Sequence, residues 1–120
     1  MAKSTIKIRG TLKDGMAKVR SLIAHPMETG QRTNKNTGEL IPAHFIQEVK
    51  CELNGTVVLT THWGPSVSKN PTLFFNLKTV KAGDILKMSW QDNMGKSDTL
   101  EGPIKPNKKG KFKIKKNKGL

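Results

Sequence analysis

At 120 residues, with 34% hydrophobic side chains and a formal net charge of +13, the chain is one domain in size and too apolar for a disordered polyelectrolyte. No apolar run approaches the ~20 residues of a membrane span, and Met1 to Gly10, with Lys3, Lys7 and Arg9, offers no apolar stretch of a secretory signal. The single cysteine, Cys51, excludes an internal disulfide, and on these facts alone the cytoplasm is the expected compartment.

Period-2 alternation dominates, and no stretch of about 11 residues carries the i, i+3, i+4, i+7 apolar pattern of an amphipathic helix, so an all-β chain is expected. In chain order the strands are predicted at Ile6 to Arg9, Met16 to Ala24, Ala43 to Leu53, Thr56 to His62, Thr72 to Lys78, Asp84 to Gln91 and Lys96 to Gly102. Lys13-Asp14-Gly15, Ala82-Gly83-Asp84 and Asp92-Asn93-Met94-Gly95 supply turns between them. Asn54-Gly55, between two alternating runs, predicts a two-residue type I′ hairpin. About seven short antiparallel strands at this spacing fit a β-sandwich. Residues 103–120 hold eight lysines and no acid, which leaves the other 102 residues at a net +5. They read as a disordered low-complexity tail, too poor in apolar area to order itself.

Alternation also assigns faces. Phe45, Val49, Cys51 and Leu53 share one side of the third strand, Leu73, Phe75 and Leu77 of the fifth, and Leu86, Met88 and Trp90 of the sixth. With Val57, Leu59 and Trp63 these form the expected core, which places Ile46 and Phe74 on outer faces as candidate partner contacts. If consecutive strands run antiparallel, the long connections Pro26 to Pro42 and Trp63 to Pro71 meet at one pole with the Asp92 to Gly95 turn. Prolines stiffen both loops, and ordered loops on a rigid scaffold are where binding residues gather.

The candidate chemistry is sparse. Cys51 points to the apolar face, where a thiol is a small hydrophobe with little thiolate. His25, His44 and His62 fall at the same pole and form an alternative metal set, with Glu28 the only nearby acid to join them. Cys51 lies about 23 Å along the strand from His44 at ~3.3 Å per residue, too far to complete it. Ser66 and Ser68 lack a G-x-S-x-G elbow, so a hydrolase is not expected. The lysine tail suggests either an electrostatic clasp or a small basic nucleic-acid-binding β domain. Its lack of arginine, and of aromatics beyond Phe112, argues against base-specific recognition.

Three segments resemble SoxZ, the smaller subunit of the SoxYZ sulfur-carrier complex of bacterial thiosulfate oxidation: His25 to Arg32 (HPMETGQR), Ile41 to Val49 (IPAHFIQEV) and Trp63 to Pro71 (WGPSVSKNP). Lys81-Ala82-Gly83-Asp84, Ser89-Trp90 and Asp92-Asn93 add a weaker match in the same order, so the likeness spans roughly residues 5–102. It implies an immunoglobulin-like β-sandwich over residues 1–102 with residues 103–120 as an added tail. It also implies a heterodimer with SoxY and transient contact with other Sox enzymes, with no cofactor, no membrane and no nucleic acid. The family's location would be the periplasm, reached by export with a SoxY that carries the signal. SoxY bears the sulfur-carrying cysteine on a Gly-rich arm. This chain contains no Gly-Gly-Cys-Gly-Gly arm and is expected to be the non-catalytic support. The candidate SoxY contacts are His25, Met27, Glu28, Arg32, His44, Ile46, Trp63, Ser66, Ser68, Lys69, Asn70 and Phe74.

Overall fold

Two dipeptides close the first hairpins. Asp14 and Gly15 (φ 53° and 77°) and Asn54 and Gly55 (φ 51° and 85°) are consecutive left-handed pairs, the signature of type I′ turns, which glycine adopts freely and Asn or Asp tolerates. They fold Ile6–Lys13 (β1) onto Met16–Ile23 (β2), and Ile46–Leu53 (β3) onto Thr56–His62 (β4). The computed structural model describes residues 4–114. Thr72–Leu77 (β5), Ile85–Asp92 (β6), Ser97–Pro103 (β7) and Lys111–Ile114 (β8) follow, and no described residue is helical.

The strands form two antiparallel four-stranded sheets, ordered β5-β2-β1-β8 and β4-β3-β6-β7. The β5-β2-β1 and β3-β6-β7 groupings are those of an immunoglobulin-like sandwich. Alternation buries Ile6 and Ile8, Ala17, Val19 and Ile23, Val49 and Cys51, and Leu86, Met88 and Trp90 between the sheets. The Trp90 indole N–H donates to Thr5 Oγ1 at 2.9 Å, and the Thr5 hydroxyl donates to Asp98 at 2.7 Å, which ties the start of β1 to the opposite sheet.

Three sequence expectations are corrected here. Strict alternation from Val49 sends Ile46 outward, but a bulge sets Ile46 opposite Asp92 and Glu48 opposite Gln91, with Gln47 as the extra residue. Ile46 therefore turns inward and is fully buried, while Phe45 is only partly covered. A second bulge, between Cys51 and Glu52, falls opposite Val58 on the edge strand β4, and Val57 is left 51% exposed instead of in the core.

The third correction concerns residues 103–120. Ile104, Phe112 and Ile114 are buried, and β8 pairs with β1 through Ile8↔Ile114 and Thr11↔Lys111. Lys111-Phe112-Lys113-Ile114 is itself an alternating run, with lysines out and apolar groups in. The Phe112 ring lies on Gly10, where a Cβ would stand 2.6 Å from the ring, so the missing side chain makes the seat. Covering each such side chain contributes about 1.5–3 kcal/mol, enough to order a short strand that lysine density alone would argue against. The part of the expected tail from 115 to 120 lies outside the described residues.

Candidate partner-binding pole

Three connections meet where β2, β4 and β6 end. The chain after β2 is clamped to the loop before β5 by an exchange: His25 N–H donates to Asn70 Oδ1 at 2.9 Å, and Asn70 N–H donates to the His25 carbonyl at 3.0 Å. Asn70 holds φ 52°, a left-handed conformation its short amide tolerates. Glu28 and His44 trade backbone hydrogen bonds at 2.6 and 2.9 Å, so residues 28–44 double back as an irregular arm. From residue 31 to 40 that arm is solvent-exposed throughout.

Asp92, the last residue of β6, organises this end. Its side chain is fully buried and accepts four hydrogen bonds. Oδ2 takes His25 Nε2 at 3.0 Å and His44 Nε2 at 2.7 Å, and Oδ1 takes the N–H groups of Met94 at 3.0 Å and Lys96 at 2.8 Å. Burial pushes this carboxyl up, but the bonds from His25, Lys96, His44 and Met94 outweigh it and bring it down to about 2. Asp92 is thus ionised and ties both ends of the β2–β3 connection to the β6–β7 turn, while the His25–Asn70 exchange brings in the loop before β5.

Met27 N–H donates to His25 Nδ1 at 3.1 Å. That nitrogen must then present a lone pair, so the hydrogen sits on Nε2 and the ring is neutral as it donates to Asp92. The ring stands edge-on to Trp90 and His44, with centroids 5.1 and 4.5 Å away.

The ligand atoms of His25, His44 and Asp92 lie within 4.8 Å of one another, the spacing of a possible cation site. His62, the third histidine of the expected set, is elsewhere: it is exposed, with Nδ1 3.8 Å from Glu48. Glu28 is turned to Arg32, whose guanidinium donates to both carboxylate oxygens at 3.1–3.2 Å. A metal on His25 Nε2 would need the lone pair there while Met27 N–H holds the one on Nδ1, a demand only an imidazolate meets. The arrangement fits a hydrogen-bonded lock better than a metal centre. In the sequence Asp92 shows only as a turn former and as part of the weaker SoxZ match, not as a ligand or contact candidate.

Above the lock opens a cleft of about 660 Å³, walled by Glu28, Arg32, His44, Lys69, Met94 and Pro42 among others. Of the sequence-derived candidates, Glu28, Arg32, His44 and Lys69 face this cleft, and Met27 lies at its base. Met27 is buried, with its sulfur accepting the Ile46 N–H at 3.3 Å, and His25 is buried too, so both support the pole from beneath. Asn70 serves the loop clamp, Trp63 packs partly buried against the core, and Ser66 and Ser68 are exposed on the same loop. Phe74 stands apart on the outer face of the other sheet, 70% exposed. Cys51 is fully buried, and burial, with Glu52 beside it, pushes its thiol up to about 12. It cannot act as a thiolate.

The family model of the sulphur oxidation protein SoxZ matches residues 6–102. The chain belongs to the SoxZ family. No curated protein matches it closely enough to add to this. SoxZ membership implies a role in the Sox sulfur-oxidation system and partnership with SoxY. SoxZ proteins are subunits of the sulfur-carrier complex, generally non-catalytic and typically periplasmic. Among the described residues, no helix is long and apolar enough to cross a membrane. The SoxZ match ends before β8, which extends this sandwich past the matched segment to Ile114.

Proposed function

We propose that this SoxZ chain is the non-catalytic half of a heterodimer with SoxY, that it works in the periplasm after export with its partner, and that the pole holds SoxY or receives its cysteine-bearing arm. The observation that carries this reading is the preorganised cleft. Its walls are set by an ionised, fully buried Asp92 that takes hydrogen bonds from two histidines and two backbone N–H groups. A surface already ordered loses less entropy on binding. The inert Cys51 supports the same division of labour, because a thiol held near 12 leaves sulfur transfer to the partner's cysteine. Glu28, Arg32 and Lys69 supply charged groups at the mouth, suited to backbone and anionic groups of an inserted arm. Other Sox enzymes then meet the complex transiently at the arm so presented.

The test is calorimetric titration of SoxY into Glu28→Ala, Arg32→Ala and Lys69→Ala, with Phe74→Ala as the comparison and circular dichroism to confirm each fold. Truncating a contact at the centre of an interface should weaken binding about 5- to 30-fold. If the three pole variants bind like the parent while Phe74→Ala loses affinity, SoxY sits on the sheet face and the pole assignment is wrong.

A further inference from the structure

Six of the chain's 22 basic side chains stand together on one surface. Across the β5-β2-β1-β8 sheet, Lys113, Arg9, Arg20 and Phe74 stand side by side in one row of the register, and Lys111, Thr11, Lys18 and Asn76 in the next. Lys7 lies beside Leu22 in the row toward the pole. All six cations point outward and are exposed, and the four strands contain no acidic residue. Among the described residues none of the six pairs with a carboxylate.

Folding alone does not favour this pattern. Neighbouring strands are about 4.8 Å apart, well inside a Debye length of about 8 Å at physiological salt, so Arg9 is repelled by Arg20 on one side and Lys113 on the other. The opposite sheet is arranged otherwise, with Glu48 3.4 Å from Lys50 and Glu52 3.8 Å from Lys87. The same chain therefore balances its charges on one outer face and leaves them unbalanced on the other. At the edge of the unbalanced face Phe74 is 70% exposed and Leu22 38% exposed, an apolar anchor beside the cations.

We propose that the outer face of the β5-β2-β1-β8 sheet is a docking surface for an acidic face of a partner protein, reached by electrostatic steering and anchored at Phe74. A protein is favoured over nucleic acid by what the face lacks. Its two central strands present no outward aromatic on which bases could stack. The hollow between Lys7, Arg9, Arg20 and Leu22 is only about 160 Å³, no groove to track a strand of phosphates. A flat grid of cations at ladder spacing suits carboxylates on an equally flat surface, and such complementarity acts chiefly on the association rate. This inference stands whichever surface binds SoxY.

The full chain, labelled with ¹⁵N, is titrated at about 0.15 M salt with a Glu-Ser repeat peptide, with an oligothymidylate matched to it in charge, and with phosphatidylcholine vesicles containing phosphatidylglycerol. The peptide should shift the amides of Arg9, Lys18, Arg20 and Phe74 and leave β3 and β6 unmoved. Reversing the charges with Arg9→Glu and Arg20→Glu together should lower its affinity at least about tenfold, while Lys50→Glu on the other sheet changes it less than about twofold. If the reversed double variant fails to fold, Arg9→Thr with Arg20→Thr, neutral and suited to strands, replaces it. Shifts confined to other surfaces, no loss in the double variant, or tighter binding of the oligothymidylate or the vesicles than of the peptide would each overturn the proposal.

Discussion

Replacing Asp92 by Asn tests whether the pole is held as described. The carboxylate accepts four hydrogen bonds, two on each oxygen, whereas an amide offers one oxygen and one NH₂ group. The better orientation turns the amide oxygen to the Met94 and Lys96 N–H groups and the NH₂ to the histidines. His44 can then change tautomer and accept, but His25 cannot, because its Nδ1 already accepts from Met27. The His25 N–H and the second amide N–H are left facing each other without an acceptor, at about 1–3 kcal/mol for a buried donor, and the charge-assisted character of the remaining bonds is lost, for a total of about 3 kcal/mol or more. Urea unfolding at neutral pH should show that loss, and the melting temperature should fall by about 10 °C or more.

The pH dependence supplies the sign. Folding lowers the Asp92 carboxyl from its usual 3.8 to about 2, so its stabilisation is fully present above the higher value and lost as pH falls toward the lower. Close to two pH units of difference corresponds to about 2 kcal/mol, which the parent should lose between about pH 5 and pH 2 and Asp92→Asn should not. The stability gap between the two proteins should therefore narrow in acid. A variant within about 0.5 kcal/mol of the parent at neutral pH, or a gap that stays constant with pH, would refute the lock.

Two other substitutions examine the core. Cys51→Ser should leave thiosulfate-dependent turnover with SoxY intact while costing about 1–3 kcal/mol, since a hydroxyl enters an apolar site, and mass spectrometry during turnover should find no sulfur adduct on Cys51. Phe112→Ala should lower stability by about 3 kcal/mol or more in urea unfolding, because it empties the seat over Gly10; a change of a few tenths would return residues 103–114 to the role of a dispensable tail.

Much of this molecule was legible in its local patterns. A type I′ hairpin needs only the two left-handed residues that Asn54 and Gly55 supply, and a half-buried strand needs only alternation, so seven of the eight strands and the sandwich follow from neighbours in the chain. The gathering of the three connections at one pole follows from antiparallel order alone, and the strings HPMETGQR and WGPSVSKNP carried the family. What lay out of reach depended on groups distant in sequence. Asp92 acquires its role from His25 and His44, 67 and 48 positions away, and no local pattern distinguishes a buried four-bond acceptor from a turn aspartate. The bulge that turns Ile46 inward is set by its pairing with β6. β8 orders because Gly10, a hundred residues earlier, leaves room for Phe112. The basic face exists only in the register of β1 and β2 with β8, strands drawn from both ends of the chain. Alternation decides which way each side chain points, but only the folded sheet decides which charges stand side by side.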